Sequence, residues 1–154
     1  MALVGALTLL AASGAWAADD DAVAIIVNKG SSTSGLSEDD LRKIFKGEVS
    51  RTPEGQKYIV VMLESGAERD SILKTVYKMS GADYDKYFLQ ATFTGKVQSA
   101  PKQFSSAGAV LKFVAQNPGA IGYVRAGDVD RFVKQVSIDG QNPGDPSYKL
   151  KSGK

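Results

Sequence analysis

A short turn at Ser65, Gly66 and Ala67 carries the residue types best suited to holding an anion. It follows an apolar, β-branched run over residues 58–63, which is typical of a buried strand. A helical pattern begins directly after the turn. Free backbone N–H groups and the positive end of a helix dipole would therefore meet at one point. The Ser65 hydroxyl and the Arg69 guanidinium would add further donors. The segment predicts an oxyanion cradle.

The position of Arg69 supports this hypothesis but also allows an alternative, in which the arginine pairs with an acid of the protein. Arg69 lies in the first turn of the predicted helix, where a cation opposes the dipole. It also shares the inward face of the apolar residues that follow it at helical spacing. Such an arginine needs a negative partner. That partner is either a bound anion or one of the neighbouring acids, Glu64, Glu68 and Asp70, which would themselves repel a phosphate.

Two further loops offer hydroxyl groups. Ser31 and Ser32 lie in residues 28–33, after the first apolar run, and could add donors at the edge where open α/β sheets bind ligands. The same composition is typical of a flexible surface loop, which is the favoured interpretation. Ser105 and Ser106 could likewise bind an anion or cap a helix, and here too the structural role is favoured.

The composition argues against catalysis and against nucleic-acid binding. The 154 residues include no His and no Cys, so the usual general base, the thiolate nucleophile and the commonest metal ligands are missing. We therefore predict no catalytic residues, no metal site and no cofactor. The net charge of +2, with scattered basic residues, is too small to indicate a nucleic-acid partner.

The N-terminal segment has the pattern of an export signal. An apolar run over residues 2–12 precedes Ala15, Trp16 and Ala17, which match a small-x-small cleavage site. We predict a signal peptide at residues 1–17, cleavage after Ala17 and a periplasmic mature protein. The apolar run is too short to span a bilayer, and no later segment reaches that length.

Hydrophobic periodicity predicts the elements that would position these loops. Strands are expected at residues 22–27, 58–63, 120–124 and 132–138, and helices after Ser37, Gly66, Asp83 and either Ser105 or Ser106. One core is expected from Ile26, Ile44, Phe45, Val61, Ile72, Val76, Phe88, Val114 and Ile121. Tyr84 and Tyr87 are interpreted as packing residues. Strands alternating with helices predict an α/β domain with parallel pairs. Residues 140–154 are expected to form a polar tail that frays.

Three segments resemble the phosphate-type periplasmic substrate-binding proteins, which have the type 2 periplasmic-binding fold. Residues 36–47 resemble the family's segment that ends in Ile-Phe-x-Gly, and residues 118–124 resemble its Pro-Gly-Ala-Ile-Gly-Tyr segment. Residues 64–67 lie where the family has a phosphate-binding Ser-Gly-Thr turn. In short exported members, an arginine after the turn and a Phe-x-Gly before a proline correspond to Arg69, residues 93–95 and Pro101.

The resemblance implies a single lobe at residues 18–139, with a mixed, mostly parallel sheet flanked by about four helices. Its ligand would be an oxyanion, with phosphate favoured, at Ser65, Gly66, Ala67 and Arg69, and its partner an ABC transporter permease or another envelope protein. Two positions depart from the family pattern. Ala67 replaces the threonine of the turn, and the strand end lacks the family's arginine, a role that Arg69 could fill.

One lobe offers half of a clamp, so the resemblance implies weak anion binding unless the chain pairs with another. The alternative hypothesis is an envelope interaction protein, in which the lobe no longer binds phosphate.

Overall fold

The structure, a computed structural model, describes residues 21–153, so the predicted signal peptide lies outside the described residues. In chain order the elements are β1 (Val23–Asn28), β2 (Gly35–Leu36), α1 (Glu38–Phe45), β3 (Ile59–Leu63), α2 (Ala67–Ile72), α3 (Gly81–Phe93), β4 (Lys102–Phe104), α4 (Ala107–Gln116), β5 (Ala120–Arg125) and β6 (Val133–Ile138). Helix α2 continues as a π-helical turn over Leu73–Tyr77, and a 3-10 turn follows β5 at Ala126–Asp128. Within the described residues, no helix is long and apolar enough to cross a membrane.

The six strands form one mixed sheet in the order β2-β6-β1-β5-β3-β4. Strand β1 is antiparallel to both of its neighbours, β5 and β6, whereas the other three pairings are parallel. Five strands therefore run in one direction and β1 runs in the other. The expected mixed, mostly parallel α/β sheet is confirmed. The reversal of β1 places its carboxyl end at the opposite edge of the sheet from the carboxyl end of β3.

The predicted core is confirmed. All nine of the expected residues are buried in one cluster, and each is at most 4% exposed. Tyr84 and Tyr87 also pack as expected, because both rings contact Phe88 at centroid distances of 4.8 and 5.0 Å. Gly119 shows why the turn before β5 needs a glycine. Its φ is +85°, and a Cβ there would lie 2.3 Å from the carbonyl oxygen of Lys57.

Serine side chains cap the starts of α1, α3 and α4. Ser37 caps α1 by accepting a hydrogen bond of 3.0 Å from the Asp40 amide, as predicted. Ser106, of the two candidates, caps α4. The prediction for α3 was wrong by three residues, because Ser80 is the cap and accepts from the Asp83 amide. Asp83 lies inside the first turn, where a carboxylate also favours the helix dipole.

The C-terminal segment was predicted to fray, but through Gly153 it packs against β1. The side chains of Tyr148 and Leu150 are buried, at 3% and 0% exposure. The Tyr148 hydroxyl donates to the carbonyl of Val23 at 2.6 Å, and the Val23 amide donates to the carbonyl of Leu150 at 2.8 Å. Residues 140–154 are mostly polar, so the composition did not indicate packing. The burial of Tyr148 and Leu150 nevertheless holds the segment against the sheet.

Truncating the centre of the core should destabilise the fold. Val61 and Ile121 lie on neighbouring strands and are both fully buried. We expect Val61→Ala or Ile121→Ala to lower the free energy of unfolding by about 1–4 kcal/mol, through lost burial and an unfilled cavity. Urea denaturation would measure the change. An exposed apolar residue, Leu89, is the control, and Leu89→Ala should change the stability far less.

Candidate oxyanion site

The turn after β3 has the geometry of an uncapped helix start. Gly66 is the N-cap of α2 and has a φ of +107°, a conformation that a residue with a side chain rarely adopts. Among the described residues no side chain caps this helix, and an uncapped first turn leaves backbone amides for another acceptor. Residues Ser65, Gly66 and Ala67 are all exposed. The sequence-predicted donors of this turn therefore face an accessible surface.

Arg69 points back to the strand end rather than to a neighbouring acid. Its Nη1 donates to the carbonyl oxygen of Leu63 at 3.0 Å, and its guanidinium carbon lies 5.0 Å from the ring centre of Tyr84. In the part of the chain that the structure describes, no carboxylate forms an ion pair with Arg69. The alternative that Glu64, Glu68 or Asp70 neutralises this arginine is therefore wrong for the described structure. The bond to Leu63 uses one of the five N–H donors of the guanidinium.

Two buried tyrosines surround this arginine and the strand end. The Tyr123 hydroxyl accepts a hydrogen bond of 3.0 Å from the Leu63 amide, so both backbone groups of Leu63 are bound by side chains. The Tyr84 hydroxyl is buried and has no hydrogen-bond partner among the described residues. Burial raises the pKa of Tyr84 to about 12, and the nearby Arg69 charge opposes that rise. Tyr84 therefore stays neutral at physiological pH and offers Arg69 an aromatic face.

Glu68 has a different partner, which the sequence pattern did not indicate. Its Oε1 lies 2.6 Å from Nε of Arg125 at the end of β5, and its side chain is only 13% exposed. Its second oxygen lies 3.4 Å from the place where a Cβ on Gly66 would be. A carboxylate of the protein thus lies beside the turn. Arg125 brings a second cation to the same edge, because β5 and β3 are parallel neighbours.

The structure does not bring Ser31 and Ser32 to this turn. They follow β1, whose carboxyl end lies at the opposite edge of the sheet because β1 runs against β3 and β5. Their loop already binds a carboxylate of the protein, that of Glu54. The Ser32 amide donates to Oε1 of Glu54 at 2.5 Å, and the Ser31 hydroxyl accepts from the Thr33 amide at 3.1 Å. The expectation that both serine sets share one sheet edge is wrong.

The pKa of the Glu54 carboxyl reflects this arrangement. Hydrogen bonds from the Ser32 side chain, and then from the Ser32 amide, lower its pKa to about 2. Bonding to the ionised form favours that form. The donors of Ser32 are therefore bound to an exposed glutamate, and the Ser31 amide donates to the carbonyl of Asn28 at 2.9 Å. The Ser65 turn remains as the candidate site.

The fold has known structural relatives, although no protein-family model matches the sequence. A candidate phosphate ABC transporter substrate-binding protein with bound phosphate, from Clostridium perfringens, aligns with a TM-score of 0.64 and 23% identity over 80% of this chain and 47% of its own. The chain has the fold of a periplasmic-binding-protein lobe. An ABC-type phosphate transport receptor from Vibrio cholerae aligns at a TM-score of 0.60 with 23% identity, over 80% of this chain and 48% of its own.

PstS from Borrelia burgdorferi gives a TM-score of 0.65 with 19% identity, over 86% of this chain and 55% of its own. The lobe therefore spans about half the length of each of these three structures. At these sequence identities the comparisons establish the fold of this chain. They do not identify its ligand, so any inference about the ligand rests on the residues of this lobe.

The turn and Arg69 were predicted from the sequence, whereas Arg125, Tyr84 and Tyr123 were not predicted as their neighbours. Arg125 ends an apolar run and carries no local motif, so only the strand order could have indicated it. Tyr84 was interpreted as a packing residue, and Tyr123 was placed only within a predicted strand. Among the described residues, no group of three or more acidic side chains is arranged to hold a metal ion.

Acid titration should reveal the bond between Glu54 and Ser32. Because the pKa of Glu54 is lowered, this bond is present above the ordinary value of 4.5 and is lost as the pH falls towards about 2. We expect the Ser32 amide resonance to titrate with a midpoint near 2 in NMR spectra. In Glu54→Gln the amide should show no such transition. A midpoint near 4.5 in the parent protein would contradict the bond.

Proposed function

We propose that this lobe binds a tetrahedral oxyanion, with phosphate favoured, at Ser65, Gly66, Ala67 and Arg69. The observation that carries the proposal is that Arg69 has no carboxylate partner in the described structure yet lies beside an uncapped helix start. A half-buried cation with unused donors is stable when an anion completes its hydrogen bonds. Binding requires no covalent step, so we propose a binding protein and not an enzyme.

The structural relatives support phosphate over other oxyanions, since two of them are phosphate transport proteins by name and one of these two contains bound phosphate. We infer that the lobe acts in the periplasm as a substrate-binding component for an ABC transporter permease. The export pattern of residues 1–17 supports that location. Ala67 removes a hydroxyl from the turn, so backbone amides and Arg69 supply most of the donors in this proposal.

A second candidate function is an envelope interaction protein that no longer binds phosphate. The observation that favours it is the Glu68 carboxylate, which lies beside Gly66 and repels a second anion. The two candidates differ in one measurable property. A phosphate-binding lobe gains affinity when this carboxylate is neutralised, whereas an interaction protein shows no phosphate binding in either form.

Removing Arg69 should weaken phosphate binding directly. We expect Arg69→Ala to reduce the affinity by about 1.5–3 kcal/mol, the scale of a hydrogen bond to a charged group. Arg69→Lys should recover part of the loss, because an ammonium cannot donate to two oxygens in a planar fork. Isothermal titration calorimetry with phosphate would measure both. Arg131→Ala removes an exposed guanidinium that packs on Phe132 and serves as the control. Loss of stability with unchanged affinity in Arg69→Ala would refute the proposed site.

Neutralising Glu68 tests how its carboxylate affects the same turn. In Glu68→Gln the competing charge is gone and Arg125 loses its carboxylate partner. We expect phosphate affinity to rise by about twofold to fivefold, which corresponds to about 0.4–1 kcal/mol, within the range of an exposed ion pair. Asp40→Asn, which neutralises an exposed acid on α1, is the matched control and should leave the affinity unchanged. A lower affinity in Glu68→Gln would mean that the carboxylate assists binding.

A further inference from the structure

A cavity lies at the other end of β3 from the Ser65 turn. It opens between the loop after α1, residues 46–51, and the loop before β4, residues 95–101, and it reaches the first residues of β3. Its volume is about 770 Å³. Binding sites for small organic molecules have volumes of about 300–1,000 Å³, so this cavity, which we call the basic groove, has a suitable size.

Apolar side chains from three elements line the basic groove. Ile44 and Phe45 come from α1, Phe88 from α3 and Val60 from β3. Val49 also lines it and is 38% exposed, which makes it one of the few large apolar residues left accessible to water among those described. An apolar surface of this kind gains free energy when a ligand covers it, at about 25 cal/mol per Å² of area removed from water.

Cations surround this apolar surface. Arg51, Lys57, Lys96 and Lys102 line the groove, and its one acidic residue, Glu48, lies 3.5 Å from Lys46. None of the four cations forms an ion pair within residues 21–153. The groove thus holds a larger positive excess than the net charge of +2 for the whole chain.

Three of the four cations are restrained by weaker, neutral contacts. Arg51 donates to the carbonyl of Gly55 at 2.8 Å, and Lys57 bonds the side-chain oxygen of Gln98. The ammonium of Lys96 lies 5.5 Å from the ring centre of Tyr87. Each of these contacts leaves hydrogen-bond donors unused, because an ammonium has three and a guanidinium five. A solvated surface can carry scattered lysines, but here the lysines border an accessible apolar surface.

We propose that the basic groove is a second binding site, for an organic anion with an apolar body. The apolar part covers Val49, Val60 and the buried side chains beneath them, and the anionic group is bound by the surrounding cations. Inorganic phosphate is not the ligand, because it has no apolar part to use this surface. The site is independent of the Ser65 turn, since it lies at the opposite end of β3 and shares no residue with it.

Three probes with the same apolar body separate the contributions of charge and burial. Octanoate, octanol and octylammonium can be titrated into the ¹⁵N-labelled protein and followed by NMR. We expect octanoate to shift the amides of residues 44–51 and 95–102 saturably. It should bind about tenfold more tightly than octanol, because the cations select a negative group. Octylammonium should cause no saturable shifts in these residues.

Two variants and one control complete the test. The double variant Lys57→Glu/Lys102→Glu should weaken octanoate binding at least about tenfold through charge reversal. Ala100→Trp should block the groove sterically, because Ala100 is an exposed residue in its wall. Lys112→Glu changes an exposed lysine on α4, outside the groove, and should have no effect. Equal affinity for all three probes would overturn the proposal, as would no octanoate binding, shifts confined to other surfaces, or unchanged affinity in the double variant.

Discussion

The hydrogen bond from Arg69 to the carbonyl of Leu63 is the interaction on which the candidate site depends. It links the end of β3 to the first turn of α2, across the turn at Gly66. The φ of Gly66 is +107°, which a residue with a side chain rarely adopts. The Tyr123 hydroxyl binds the amide of the same leucine. The strand end is therefore fixed from both sides, and the amides of the following turn remain in place without a side-chain cap.

The position of Arg69 is unfavourable for the electrostatics of α2, and its surroundings offset that cost. A cation in the first turn of a helix is unfavourable by itself. Here the ring of Tyr84 and a backbone carbonyl offset that cost without neutralising the charge of Arg69. The carboxylate of Glu68, which could have neutralised it, pairs with Arg125. Arg69 thus has no carboxylate partner among the described residues, and a second arginine lies close by.

The two ends of β3 have different chemistry. The carboxyl end presents backbone amides and guanidinium groups around an accessible turn, which suits a small, fully hydrated oxyanion. The amino end opens into the basic groove, where lysines surround apolar side chains. Both regions present cations, but only the groove offers apolar area. The difference explains why the two proposed ligands are distinct classes of anion.

The sequence by itself determined the turn at Ser65, the inward position of Arg69 and the apolar core, because each depends on residue types at strand or helix spacing. Tertiary structure decided which loops meet. The antiparallel β1 moved Ser31 to the other edge, and the strand order brought Arg125 to the turn. Pairings between distant strands and the partner chosen by Glu68 depend on long-range packing, which local periodicity does not encode.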